Sequence, residues 1–211
     1  MRILGISGKA GSGKSTLGEL VSEKLCVRDW RVRIYSVYFV SFARALRYEV
    51  SQYFGIPYGW TFTSEGKSLV PYPTIHRADS MLPNTSMRDE ILNLYEPGMN
   101  IRRMLQVWGK YRRDTNPDYW VQKWHEGIAD LSADFVIADD IRFPNEARAV
   151  DLCGGLLVRL GHYDLDSAAK DQDISETALD DFVFEHTFYP GYGKLGKVAD
   201  RVAELLARLR E

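Results

Sequence analysis

Apolar residues recur along the chain with two different periods, which together predict strands alternating with helices. Residues 2–7 form a short apolar run typical of a buried strand, and Leu17, Leu20, Val21 and Leu25 follow the spacing of one helical face. Similar patterns predict strands at 32–37, 135–139, 156–160 and 182–185, and helices at 41–54, 86–95, 100–109, 116–131, 145–153 and 198–209. This alternation favours an α/β protein with a parallel sheet covered by helices on both faces.

Residues 55–85 interrupt the alternation. Glycines and prolines punctuate this stretch, which also holds Tyr58, Trp60, Phe62 and Tyr72. A segment of this length without its own period is uncommon in a compact domain and is usually functional or flexible. We therefore interpret it as an excursion over a binding face, and we place an insertion at 55–99 within a single domain of residues 1–211.

Composition excludes several classes of protein. The 211 residues include 27 basic and 29 acidic side chains, so the net charge is −2 and no global positive field attracts nucleic acid or anionic membrane. Only a local basic groove stays open for nucleic acid. No apolar run reaches the ~20 residues of a membrane span, and the N-terminus lacks a signal-peptide pattern. The two cysteines build no disulfide framework, so we expect a cytoplasmic protein.

The most specific pattern in the chain is a glycine-rich loop between the first predicted strand and helix. Residues 8–15 match G-x-x-x-x-G-K-[ST] at every fixed position. Glycines let successive N–H groups turn inward toward phosphate oxygens, and the helix N-terminus adds its dipole. In such loops the lysine, here Lys14, reaches the β- and γ-phosphates, and the hydroxyl, here Ser15, coordinates Mg²⁺. The expected ATP-binding residues are Gly8, Lys9, Ala10, Gly11, Ser12, Gly13, Lys14, Ser15 and Thr16.

Two carboxylates follow the apolar run at 135–138. Asp139 and Asp140 are therefore expected at the carboxyl edge of a parallel sheet, where ligands bind. A phosphate-loop site needs an acid there to hold the hydration shell of Mg²⁺. Asp140 is the first choice because Arg142, two residues on, could point at a phosphate beside it, and Asp139 is the alternative. The expected metal set is Ser15, Asp140 and Asp139, mostly through water.

The predicted helix at 100–109 has one apolar and one cationic face. Its apolar side holds Ile101, Met104, Leu105 and Trp108. The other side holds Arg102, Arg103, Gln106 and Lys110, with three cations and no acid. Arginine side chains present planar donor forks that match phosphate oxygens, so this face is a candidate phosphate-binding surface.

At this point several segments resemble the deoxynucleoside monophosphate kinases of tailed bacteriophages, in the order expected of that family. They are the glycine-rich loop, S-F-A-R-A-L-R at 41–47, R-R-M-L-Q-V-W-G at 102–109, D-Y-W-V at 118–121, D-I-R-F-P-N-E at 140–146 and Ser175-Glu176. The resemblance spans most of the chain outside about 55–90. The arginine helix and the D-x-R-F-x-N-E segment make it specific.

The resemblance implies a fold and an activity. The fold is the three-layer P-loop kinase fold, with a parallel five-stranded sheet, an inserted monophosphate-binding excursion and a lid. The activity is Mg²⁺-dependent transfer of the γ-phosphoryl group of ATP to a deoxynucleoside 5′-monophosphate, giving the diphosphate for deoxynucleotide biosynthesis. The location is the host cytoplasm if the protein is phage-encoded.

The resemblance also implies an acceptor site. Arg102, Arg103, Arg142 and Arg44 are expected to grip the acceptor phosphate, and Gln106 is expected near the base or sugar. Trp120 is placed within reach of the acceptor, and Glu146 is expected to orient Arg142. The catalytic set is Lys14, Arg102, Arg103, Arg142 and Asp140. Where family members often carry a lid arginine after the fourth strand, this chain has Gly161-His162, which leaves Arg159 and Lys170 as candidates.

Other functions stay open from the sequence. The acceptor could instead be a hydroxymethylated base in DNA, dephospho-coenzyme A or a nucleoside, and a non-catalytic ATP-binding module is a further alternative. A regulatory GTPase is disfavoured because the chain has no Asn-Lys-x-Asp motif. The preferred base and assembly as a homodimer are left open.

Overall fold

The computed structural model describes residues 1–26, 35–71, 94, 98–161, 177–191 and 193–209. In chain order its elements are β1 (Arg2–Gly8), α1 (Lys14–Cys26), β2 (Val37–Phe39), α2 (Ala43–Phe54), a 3₁₀ turn (Tyr58–Thr61), α3 (Ser64–Ser68), α4 (Ile101–Thr115), α5 (Tyr119–Ala129), β3 (Phe135–Ile141), α6 (Pro144–Leu152), β4 (Leu156–Leu160), β5 (His186–Phe188) and α7 (Leu195–Arg208).

The chain divides into two compact units. The first unit comprises Met1–Phe42 with Trp124–Glu211, and the second comprises Ala43–Lys123. The second unit thus begins earlier and ends later than the insertion that the sequence places at 55–99. The boundary between the units falls within α5.

The first unit is built on a sheet of five parallel strands in the order β2-β3-β1-β4-β5. Leu4 and Ile6 of β1 lie fully buried in a core with side chains of α1 and α7. Between them Gly5 faces the other side of the sheet, where a Cβ would meet Val150 of α6 at 3.2 Å. Helices therefore cover both faces, and the prediction of an α/β protein with a parallel five-stranded sheet is confirmed.

The predicted end of the arginine helix at Gly109 is wrong, because α4 continues to Thr115. Gly109 lies inside the helix, where a Cβ would come within 3.3 Å of Leu46 on α2. The missing side chain lets two helices approach closely, which overrides the usual role of glycine as a helix stop. The start of this helix agrees with prediction, since Asn100 Oδ1 caps it by accepting from the Arg103 N–H at 2.9 Å.

Other boundaries differ in smaller ways. The strand predicted at 182–185 is wrong: Phe182 and Phe184 pair edge to face, and β5 begins at His186. Helix α5 begins at Tyr119, because the Asn116 side chain accepts from the Asp118 N–H at 3.1 Å and forms a turn ahead of it.

Some predictions cannot be compared with the structure. Apart from Leu94, the helix predicted at 86–95 lies outside the described residues, as do Lys170 and residues 32–34 of the strand predicted at 32–37. Among the helices that the structure describes, none combines the length and apolarity of a membrane span.

Gly66 provides a test of the packing in the second unit. A Cβ at this position would come within 2.7 Å of Trp60 Cα and also overlap the Trp60 carbonyl oxygen, so backbone must move. We expect Gly66→Ala to lower the free energy of unfolding by about 1–3 kcal/mol. The matched control is Gly59→Ala, where a Cβ meets nothing within 4 Å. Urea denaturation of both variants checks this, and equal midpoints would contradict the packing described.

Candidate functional site

The glycine-rich loop joins the carboxyl end of β1 to the start of α1. Gly8, Gly11 and Gly13 have φ values of 153°, 74° and 90°, which side chains disfavour. At Gly8 there is also no room, since a Cβ would lie 2.6 Å from Ser12 Oγ and 2.7 Å from Leu160 O. The backbone of the loop is therefore fixed by glycine, as the sequence pattern requires of a phosphate loop.

The polar groups of this loop are arranged around its own backbone. Lys14 Nζ donates to the carbonyl oxygens of Gly8 and Lys9 at 2.6 and 2.7 Å. Ser12 Oγ is buried and has no hydrogen-bond partner among the described residues. Ser15 and Thr16 are exposed in the first turn of α1, so their hydroxyl groups are accessible. A lysine, an unsatisfied hydroxyl and a helix N-terminus converge here, which is a donor set suited to an anion.

Lys9 contributes a further contact beyond the loop. Its Nζ lies 3.3 Å from Asp180 Oδ2, and Asp180 Oδ1 accepts from Arg159 Nη2 at 2.7 Å. Arg159 also donates to the Leu179 carbonyl oxygen and lies over the Phe184 ring. Sequence reasoning missed Asp180 entirely, since no motif or periodicity marks it. It did name Arg159, as one candidate for the lid arginine.

Both candidate carboxylates lie in a β-bulge at the end of β3. Gly5 pairs with Ala138 and Ser7 pairs with Ile141, so Asp139 and Asp140 stand opposite the single residue between. Such bulges redirect side chains and are frequent beside active sites. The Asp140 carboxylate accepts from the Phe42 N–H at 2.9 Å. Asp139 has no hydrogen-bond or ion-pair partner among the described residues. Of the two metal candidates, it is therefore the one whose carboxylate can bind a ligand without first breaking a described contact.

Glu146 is buried at the start of α6 and acts on the backbone before it. Its Oε2 accepts from the N–H groups of Arg142 and Phe143 at 2.8 and 3.1 Å, and Pro144 occupies the first turn. These bonds satisfy donors that a helix start leaves unpaired. Through them Glu146 fixes the backbone at Arg142.

The remaining acceptor candidates belong to the second unit. Arg44 on α2 and Arg102 and Arg103 on α4 are exposed, and their side chains have no partner among the described residues. Gln106 is half-buried on α4. Trp120 is buried and donates from Nε1 to the Gly109 carbonyl oxygen at 3.1 Å, which gives it a packing role in this unit.

A buried polar network in the second unit was not anticipated from the sequence. Glu49 on α2 accepts from Trp108 Nε1 at 2.8 Å, from Arg112 Nε at 3.2 Å and from the Tyr119 hydroxyl. The Arg112 guanidinium lies over the rings of Trp108 and Tyr119, each at 4.7 Å. The sequence does contain a pattern that indicates this network. Glu49 lies on the apolar stripe of its helix, where a carboxylate needs a buried partner.

This network keeps its tyrosines protonated. Burial raises the pKa of Tyr119 above its usual range, and the hydrogen bond to Glu49 raises it further. Burial also raises the pKa of Tyr53, and the negative charge of Glu49 raises it further. Tyr119 therefore remains a donor to Glu49, and the two helices that carry Glu49 and Arg112 are held in one arrangement.

A cavity lies elsewhere in the first unit. It has a volume of about 370 Å³ and is lined by the first residues of β4 and β5, Leu156 and His186. Because the strands are parallel, this is the amino edge of the sheet, whereas the glycine-rich loop follows its carboxyl edge. The cavity is therefore distinct from the candidate phosphate site.

No described group of three or more histidine, cysteine, aspartate or glutamate side chains could hold a metal ion. This does not conflict with Mg²⁺ at a nucleotide, which takes one or two protein oxygens together with phosphate oxygens and water. Ser15 and Asp139 are side chains of the required kind.

No family model matches this sequence, and no curated protein matches it.

The Glu49 network provides a stability test. We expect Glu49→Gln to lower the free energy of unfolding by about 3 kcal/mol, because it leaves the largely buried Arg112 charge without a counter-ion. Glu23→Gln, at an exposed position on α1, is the matched control and should change it by less than about 0.5 kcal/mol. Equal thermal midpoints for the two variants would show that the pair contributes nothing.

Proposed function

We propose that this protein is a P-loop kinase that transfers the γ-phosphoryl group of ATP to a deoxynucleoside 5′-monophosphate. The observation that supports this best is the glycine-rich loop, whose backbone is fixed by Gly8, Gly11 and Gly13 between a parallel strand and a helix N-terminus. The strand order β2-β3-β1-β4-β5 is compatible with the three-layer P-loop kinase fold. The second unit corresponds in this proposal to the monophosphate-binding insertion.

The loop supplies the donor phosphate site. Lys14 moves its ammonium from the carbonyl oxygens of Gly8 and Lys9 to the β- and γ-phosphates, which offer a stronger, charged acceptor. Ser15 and a carboxylate of the β3 bulge, Asp139 or Asp140, hold Mg²⁺ mostly through water. When bound, Mg²⁺ neutralises the charge that develops on the transferred phosphoryl group.

Arginines supply the acceptor site. Arg102, Arg103 and Arg44 carry guanidinium groups that have no partner among the described residues and match phosphate oxygens in charge and geometry. Arg142 follows the carboxylate bulge and has its backbone fixed by Glu146. Phosphoryl transfer needs positioning and charge neutralisation more than a strong base, so side chains that carry positive charge suit the reaction.

The decisive test is turnover with defined acceptors. ATP consumption with Mg²⁺ is measured with each deoxynucleoside and ribonucleoside monophosphate, nucleosides, dephospho-coenzyme A and DNA with hydroxymethylated pyrimidines. We expect turnover with one or a few deoxynucleoside monophosphates. Lys14→Ala should reduce it about 10²- to 10³-fold, by comparison with loss of other transition-state donors. Lys197→Ala, at an exposed position on α7, serves as control.

The other outcomes are equally informative. Product in the DNA sample alone would move the acceptor from a nucleotide to a polymer. ATP binding without turnover across the whole panel would contradict the kinase proposal and favour a binding module.

The acceptor site has its own prediction. We expect Arg102→Ala to lower kcat/KM for the monophosphate by about 10²-fold, as lost donors to a charged phosphate typically do, with KM for ATP unchanged. Arg148→Ala is the matched control, since Arg148 is also exposed on a helix and unpartnered among the described residues. A larger change in KM for ATP than for the acceptor would place Arg102 at the donor site instead.

A further inference from the structure

Asp180 joins two cations that come from different parts of the first unit. Lys9 belongs to the glycine-rich loop, and Arg159 belongs to β4, the strand that pairs with Gly8. One carboxylate oxygen faces each cation, at 3.3 Å for Lys9 and 2.7 Å for Arg159. The proposed mechanism assigns no role to a negative charge at this position. The loop is expected to bind the triphosphate of ATP, which is itself an anion.

The contact to Lys9 is one that can be exchanged. Burial opposes ionisation of Asp180, but the hydrogen bonds and charges of Arg159 and Lys9 outweigh it and hold the pKa of the carboxyl below its usual value. Asp180 is therefore charged at neutral pH. Its side chain is 40% exposed and that of Lys9 is 33% exposed. Water screens such a pair, so the contact between Lys9 and Asp180 is weak enough to exchange for another partner.

We propose that Asp180 is a positioning residue that tunes the affinity of the loop for a triphosphate by competing with it for Lys9 and Arg159. The proposal rests on the proposed function, and it extends that function to a residue outside every recognised motif. Asp180 keeps Lys9 beside the loop, and it also weakens phosphate binding because its own charge repels the incoming anion. A bound triphosphate takes over one or both cations.

The geometry separates this role from a purely structural one. Arg159 also donates to the Leu179 carbonyl oxygen and lies 5.4 Å from the centre of the Phe184 ring, so it keeps its place without the Asp180 charge. Lys9 has no such second anchor for its side chain among the described residues. Removal of the charge is therefore expected to release Lys9 first.

The test is the affinity for Mg²⁺·ATP, measured by titration calorimetry. Asp180→Asn keeps the size of the side chain and an oxygen for Arg159 but removes the charge. We expect it to bind ATP about 3- to 10-fold more tightly, the effect of one removed like charge near a solvated site. Asp181→Asn is the matched control, since Asp181 is the exposed neighbouring carboxylate without a partner among the described residues. Asp180→Glu retains the charge and should bind like the wild type.

A second comparison assigns the effect to Lys9. In a Lys9→Met background the gain from Asp180→Asn should shrink, and in the wild-type background it should fall as salt is raised. A melting curve of each variant confirms that it folds. Unchanged or weaker ATP binding by Asp180→Asn would overturn the proposal, and so would an equal gain in Asp181→Asn.

This experiment also separates the two proposals. Tighter ATP binding by Asp180→Asn without any phosphoryl transfer supports the role of Asp180 and contradicts the kinase function. ATP binding by neither the wild type nor Asp180→Asn overturns both.

Discussion

The turn from β1 into α1 can form only because residue 8 has no side chain. Gly8 pairs with Leu160 on the neighbouring strand, and the Leu160 carbonyl oxygen and Ser12 Oγ occupy the space where a Cβ would lie. Without a Cβ at residue 8, the loop packs closely against the carboxyl edge of the sheet, and this packing sets the direction of α1. Together with the positive φ angles of Gly11 and Gly13, this constraint sets the positions of Lys14, Ser15 and the N-terminus of α1. The proposed chemistry therefore rests on backbone shape before it rests on charge.

Charge is handled in opposite ways in the two units. In the second unit, Glu49 and Arg112 are largely buried and surrounded by aromatic rings, so their pairing is a fixed part of the packing. In the first unit, Lys14 and Lys9 contact acceptors that a phosphate can replace, namely backbone carbonyl oxygens and the partly exposed Asp180. Strong burial makes a pair structural, whereas exposure leaves it exchangeable. We infer that the buried pair of Glu49 and Arg112 stabilises the second unit. The exchangeable contacts of Lys14 and Lys9 are the ones available for ligand binding.

The sequence predicts the architecture better than it predicts the contacts. Buried parallel strands are short apolar runs, so β1, β3 and β4 were placed within about two residues. The glycine-rich loop was recognised because the G-x-x-x-x-G-K-[ST] pattern specifies particular residue types at fixed spacing. Gly109 was misread because a glycine that ends a helix and one that admits a neighbouring helix look alike in sequence. Asp180 was missed because its partners are distant along the chain.

The resemblance to phage deoxynucleoside monophosphate kinases guided the candidate residues, and the structure adds physical detail to several of them. Glu146 fixes the backbone of Arg142. Of the two metal candidates, Asp140 already accepts a hydrogen bond from the Phe42 N–H, whereas Asp139 has no partner among the described residues. The structure also assigns Trp120 to the core of its unit. What sequence cannot supply is the partner of each polar group, because that depends on which elements the fold brings together.

Hydrogen–deuterium exchange with and without Mg²⁺·ATP is the measurement that locates a phosphate site on the chain. We expect slower exchange of the amides of residues 9–16 with ATP and no change there with adenosine, because the proposed loop site binds phosphate. Protection at the cavity lined by Leu156 and His186, with none at residues 9–16, would contradict it.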